Sequence, residues 1–453
     1  MTSTPPHQSI LDKPFVLDLF AGPGGLDVAG RVLDVPSLGI EWDRSACLTR
    51  YAAGLETLHA DVSEVRRDSF ESLPPEINVL AGGPPCQTYS VAGRGAGRKA
   101  LEDVKTLIND LAAGASDEDI DKKLKSLEAR GGDPRTALVL EPLRYAIQAT
   151  RSPNRGYRPY DVIVLEQVPA VVEVWRHYAK VLEETGLPDG TKYKVVVDVL
   201  ATETYGVPQT RSRAVLIARR TGLGEPELPE ATHRAYEARQ WNRRNSAGSD
   251  QVQATLDEAC TEEPPSQPVK KNEPKHWLSM RDALAAEVGT HRGRKRPFLV
   301  RSNYGSSGDP KRRGVRTDQQ PAATVTGRIS RFVVFEHLDD HTGVVREGPR
   351  FNMNEAGMLQ SFPPDYPWSG TAKAQQVGNA VPPLFGAHLL SAALGLPAPD
   401  PDALREPWAP ATEEQRAKLR SHGCGAADDC TVRCPRPDEQ TPPRSAPRPR
   451  KSK

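Results

Sequence analysis

Asp18-Leu19-Phe20-Ala21-Gly22-Pro23-Gly24-Gly25 is the stretch on which the reading of the fold turns. PFVLDLF (14–20) leads into it as an apolar strand, LDVAGRVLD (26–34) leaves it with helical spacing, and LGIEWD (38–43) follows as a second short strand ending in an acid. Strand, glycine turn, helix and strand in succession open an α/β sheet. At such a turn the missing side chains let a ligand approach the backbone. The glycines are not spaced Gly-x-Gly-x-x-Gly and no lysine follows, which counts against dinucleotide and P-loop readings.

Working outward, VLAGGPP (79–85) and DVIVLEQV (161–168) read as buried strands, and YKVVVDVLAT (193–202) and RAVLIARR (213–220) as a pair around a turn at Tyr205–Pro208. Strands alternating with helices predict a parallel sheet covered on both faces over 14–220. An insertion at about 97–131 interrupts it with two amphipathic helices. Ser116 with Asp119 caps the second, and Ile120, Leu124 and Leu127 share one face. Residues 221–349 are polar and proline-rich, with a short helix in WLSMRDALAAEV and strand-like RPFLV, PAATVTG and RFVVFEHL. They read as a smaller, irregular second domain. Order returns over 350–396, and 397–453 reads as a disordered tail.

A length of 453 residues fits two or three domains. No run of 18 apolar residues occurs, so no membrane span is expected, and MTSTPPHQSI lacks the apolar core of a signal peptide. Six scattered cysteines suit a reducing, cytoplasmic setting. Cys424, Cys430 and Cys434 with His422 lack the paired C-x2-C spacing of structural zinc sites, and no metal site is expected. Net charge is only +1, but nine Lys or Arg against one acid between His291 and Arg316 would attract a polyanion if they folded onto one face.

Four groups carry chemistry. Glu41 ends the second strand, where an acid accepts from ribose hydroxyls. Trp42 beside it can stack on an adenine or simply pack in the core, and Asp61 follows a third strand within reach of an adenine amine. Cys86, in Gly83-Pro84-Pro85-Cys86-Gln87, sits at a strand's carboxyl end before a Gly- and Ser-rich loop, as a nucleophilic thiol would. Glu166 ends a strand in an apolar setting that favours a held proton, although solvated strand-end glutamates are common. Gln209, Arg211 and Arg213 alternate, so they are expected to share a face, and paired arginines suit an anion or a polar base edge.

DLFAGPGG, GGPPCQ, LEQV, QTRSR, NEAGMLQSFP and QQVGNAVPP occur in the order of the C5-cytosine methyltransferases, which the chain resembles over 14–220 and 350–395. The resemblance implies a Rossmann-like S-adenosylmethionine-dependent catalytic domain and a target-recognition domain over 221–349, acting as a monomer on double-stranded DNA. A further implied partner is a cognate restriction endonuclease acting separately. The resemblance implies that the last helix (384–395) packs beside the first strand. It also implies that Cys86 adds to C6 of a flipped cytosine, with Glu166 at N3 and the amine and Arg213, next to Arg211, at O2. Cofactor contacts fall on Phe20, Gly22, Gly24, Glu41, Trp42, Asp61, Pro85 and Asn379. The chain departs from the family at Gln167, where an asparagine is usual, and at Asn354, where an arginine is usual. The tRNA-modifying branch carries a Cys-Phe-Thr tripeptide that this chain lacks, and silent relatives tend to lose the cysteine, glutamate or arginine that it keeps.

Overall fold

The computed structural model describes residues 9–85, 96–129, 134–236, 273–305, 313–337, 345–409 and 412–414; Cys86, Gln87 and the C-terminal cysteines lie outside them. Seven strands make the main sheet: β1 (Val16–Leu19), β2 (Ser37–Glu41), β3 (Thr57–His59), β4 (Val79–Gly82), β5 (Val162–Gln167), β6 (Tyr193–Ala201) and β7 (Ser212–Arg220). Their order is β3-β2-β1-β4-β5-β7-β6. The first five pair in parallel, and β7 runs antiparallel between β5 and β6. Strands β1, β4 and β5 are buried at every position, as strands covered on both faces must be. Alternate residues serve two cores. Val16, Val79, Val162 and Val164 face one side, and Leu17, Leu80, Ile163 and Leu165 the other.

The helices are α1 (Gly25–Val32), α2 (Arg44–Ala53), α3 (Val62–Asp68), α4 (Ala96–Ala112), α5 (Asp117–Ala129), α6 (Glu141–Ala149), α7 (Val172–Lys180), α8 (Met280–Leu284), α9 (Met353–Leu359), α10 (Lys373–Asn379) and α11 (Pro383–Leu394). The two inserted helices form as expected. The Ser116 Oγ accepts from Asp119 N, and Ile120 and Leu124 are buried. Buried charge pins α5 to the core: Arg66 pairs with Glu141 at 2.8 Å, and Arg144 reaches Asp117 at 3.0 Å and Asp121 at 2.7 Å. Helix α11 lies chiefly on α1, and also against β5 and β7, and shares with Val16 of β1 the core on that face of the sheet. Gly25 allows this approach, because a Cβ there would sit 2.1 Å from the Val381 carbonyl oxygen. The apolar stretch 373–394 is long enough to cross a membrane by length and composition, but it is mostly buried in this core.

A second, antiparallel sheet, β11-β10-β8-β9, is made of β8 (Phe298–Gly305), β9 (Arg313–Thr317), β10 (Phe332–His337) and β11 (Val345–Glu347). PAATVTG is not one of its strands. Its polar groups are taken by the first domain: Ala322 bridges Gln209, Val325 N donates to Gln209 Oε1, and Thr324 Oγ1 donates to Thr210 O.

In the basic block, Lys311 and Arg312 lie outside the described residues. Among the others, Arg294 pairs with Glu355 and stacks over Phe298 and Phe351, Arg301 covers Phe335, and Arg316 stacks on Tyr236 while donating to the Pro321 and Ala322 carbonyls. One further expectation fails, because order does not stop at 397. Leu404 is buried, and Trp408 packs on the first domain, because these two apolar side chains find a surface that the polar composition around them conceals.

Candidate active site

From β1 the chain winds outward through β2 and β3, then crosses back to β4 and β5. The carboxyl ends of β1 and β4 therefore flank the point where the winding reverses, and such a crevice is where open α/β sheets bind ligands. Two turns meet there, 20–25 after β1 and 83–85 after β4.

The first turn needs its glycines. Phe20, Gly22 and Gly24 all have positive φ, at 62°, 55° and 103°. Space differs between them. A Cβ on Gly22 would have nothing within 4 Å, whereas one on Gly24 would lie 2.2 Å from Leu55 Cδ1, so Gly24 faces the interior rather than the crevice. Glu41 closes the turn's outer side, accepting from Gly22 N at 2.7 Å and Asp43 N at 2.6 Å; burial raises its pKa. Trp42 is 55% exposed, which removes the core-packing alternative. The Asp61 Oδ1 caps α3, accepting from Ser63 N and Glu64 N.

Beneath the turn lies a cluster that the sequence reading missed. Arg50, fully buried, binds Asp27 through two nitrogens at 2.6 and 3.0 Å and also donates to Thr57 Oγ1, Glu56 O and Ala21 O. Burial alone would lower the Arg50 pKa; Asp27 reverses this and raises it. Asp18 is held well above the usual carboxylate range by burial, then by the Asp27 charge. The signal available was an acid at the start of a helix whose other buried positions are apolar or glycine.

The second turn carries Pro85 and leads to Cys86. Its Gly83 lies so close to Glu166 that a Cβ would fall 3.1 Å from Oε1. The Gln167 amide donates to Pro84 O and accepts from Val168 N. The Glu166 Oε2 lies 3.2 Å from Arg213 Nε, close enough for an ion pair but without hydrogen-bond alignment. Burial lowers the Arg213 pKa, and Glu166 opposes that.

Gln209 and Arg211 precede β7, which begins at Ser212, and both bond Val325, whereas Arg213 lies on the strand. Arg213 alone pairs with Glu166. Arg211 is buried and donates to Gly378 O at 2.9 Å and Val325 O at 3.3 Å; burial, then the charge of Arg213, lowers its pKa well below the usual range. Gln209 is bonded to Leu359 O, Gln360 Oε1 and Val325 N. These two tie the first domain to the second sheet's base and to the C-terminal return. Asn379 is exposed at the end of α10, next to the carbonyl that holds Arg211. Asn354 makes a reciprocal pair with Asp365.

A sequence model described as C-5 cytosine-specific DNA methylase matches residues 15–113 and 157–393. The type II methyltransferase M1.HphI of Haemophilus parahaemolyticus is 27% identical over 388 residues, 83% of this chain and 86% of that one. The type II methyltransferase M.AplI of Arthrospira platensis is 23% identical over 384 residues, 84% of this chain and 85% of its own. Among solved structures, the Dnmt2 methyltransferase of S. pombe aligns over 84% of this chain and 98% of its own, with 16% identity and a TM-score of 0.46.

Proposed function

The chain belongs to the C-5 cytosine-specific DNA methylases and is a DNA cytosine-5 methyltransferase; from that premise we propose that it acts through a covalent Cys86–C6 adduct, with S-adenosylmethionine as methyl donor. The observation that carries this is the Glu166–Arg213 pair, set against Gly83 at the root of the turn that bears Cys86.

In this reading the Cys86 thiolate adds to C6 of a cytosine swung out of the duplex. The ring electrons move toward C5 and N3, where Glu166 supplies a proton and contacts the exocyclic amine. Arg213 holds O2, which draws charge away from the ring and keeps the base aligned. With C5 carrying the methyl group that S-adenosylmethionine would supply, loss of the C5 proton to water expels Cys86 as thiolate, the N3 proton returns to Glu166, and the aromatic ring is restored. Extruding the base costs a few kcal/mol, offset by contacts between the recognition region (221–349) and the DNA. Arg211 serves here by position, fixing the start of β7 so that Arg213 meets Glu166.

The crevice suits the donor, because Gly22 is open in front, Trp42 offers a free ring face and Glu41 ends the strand between them. Phe20, Gly22, Glu41, Trp42, Asp61, Pro85 and Asn379 would hold it, with Gly24 shaping the turn from behind. When bound, S-adenosylmethionine supplies a sulfonium-activated methyl for C5. We further propose a monomer that works in the cytoplasm beside a separate restriction endonuclease.

The test measures methyl transfer and tritium release from C5-labelled cytosine in duplex DNA, with tRNA alongside. Wild type should act on the duplex. Cys86→Ser should keep DNA binding and lose nearly all turnover, and Glu166→Gln should lose roughly a hundredfold or more. Full activity in Cys86→Ser rejects the adduct, and transfer to tRNA alone rejects the DNA substrate.

A further inference from the structure

The family match ends at residue 393, yet the chain continues as an ordered strap to residue 409. Its anchor is Trp408. The Trp408 N donates to Pro364 O at 2.7 Å and its indole Nε1 to Ala53 O at 3.2 Å, while the Arg31 guanidinium lies 4.5 Å above the ring. The indole also meets Tyr366 edge to face, with centroids 5.4 Å apart at 65°. Leu404 is buried a turn earlier, so the strap is held at two points.

Tyr366 is the connection to the crevice. Its ring is buried among Phe362, Trp368 and Trp408, and its hydroxyl donates to Pro23 O in the glycine turn. That hydroxyl lies 3.1 Å from where a Gly24 Cβ would be. The turn has three positive-φ residues within five positions, and the bonds to its carbonyls help to fix its shape. Arg50 holds Ala21 O from below, and Tyr366 holds Pro23 O.

We propose that the strap 397–409 is a positioning element for methyl-donor binding: Trp408 fixes the Tyr366 ring, and Tyr366 fixes the glycine turn. This rests on the reading of that turn as the donor site. Neither residue touches the reacting atoms, so the effect should fall on donor affinity and leave the chemical step and DNA binding in place.

The experiment uses the full chain and its Tyr366→Phe, Trp408→Ala and Trp408→Phe variants. Dissociation constants for S-adenosylmethionine and S-adenosylhomocysteine come from calorimetry without DNA; KM and kcat are measured with duplex DNA, and DNA affinity by gel shift. Tyr366→Phe keeps the ring and loses one hydrogen bond, which should weaken donor binding about fivefold and raise KM in step, with kcat within twofold. Trp408→Ala should weaken it at least as much, and Trp408→Phe should recover most of the loss. Donor affinity unchanged in both Tyr366→Phe and Trp408→Ala overturns the proposal, as does a loss of kcat with KM unmoved. If Trp408→Ala does not fold, Tyr366→Phe alone decides. Failure of the wild-type chain to bind the donor would instead overturn the assignment of the turn.

Discussion

Replacing Asp27 with asparagine removes, among the described residues, the carboxylate partner that bonds directly to the Arg50 guanidinium, a group with no exposed surface. Breaking a buried ion pair from one side costs about 3–5 kcal/mol, because the other charge stays behind in a poor solvent. Arg50 keeps neutral acceptors in Thr57 Oγ1, Glu56 O and Ala21 O, and an asparagine oxygen can replace one of its two bonds to Asp27. The expected loss is therefore at the low end, about 3 kcal/mol. Adding Arg50→Met to Asp27→Asn removes the stranded charge, so the double variant should be more stable than Asp27→Asn alone. Urea unfolding of the wild type, both single variants and the double variant, followed by tryptophan fluorescence and circular dichroism, gives the cycle. A loss below about 1 kcal/mol in Asp27→Asn, or a double variant whose loss equals the sum of the singles, would refute the reading of Arg50 and Asp27 as a coupled buried ion pair.

Two other outcomes follow from the same corner. Gly24→Ala should lose stability and donor affinity sharply, because its Cβ would strike Leu55, whereas Gly22→Ala meets open space and should show only about 1 kcal/mol of backbone strain in thermal unfolding. Asp18 is raised above the unfolded carboxyl value of 3.8, so its contribution is fully present below that pH and is lost as pH rises through the folded value; Asp18→Asn should flatten this slope, and an unchanged stability profile from pH 4 to 8 would contradict the held proton.

Much of this architecture was legible in the chain. Apolar runs such as VIVLEQ and glycine turns such as AGPGG are local signals, and each produced the strand or turn it predicted. The catalytic candidates were legible because Glu166 and Arg213 stand at strand ends, where sheet geometry alone brings them together. What stayed hidden depends on distant partners. Alternation put Arg211 in one row with Arg213, but it could not show that the Arg211 side chain bonds carbonyls 114 and 167 residues away. The cationic count over 291–316 could not show that Arg294, Arg301 and Arg316 stack on aromatic rings. Trp408 reads as an isolated tryptophan among prolines and acids until Tyr366 and Ala53 are placed beside it.

The seating of α11 on α1, with Gly25 against the Val381 carbonyl, bears on how the molecule is born. A ribosome releases the glycine turn early and the helix that covers its back some 370 residues later, roughly twenty seconds to over a minute at ordinary elongation speeds. Through that interval the nascent chain has the front of its crevice but not its backing. Methylating competence should therefore arrive late and all at once, when the last helix emerges and docks.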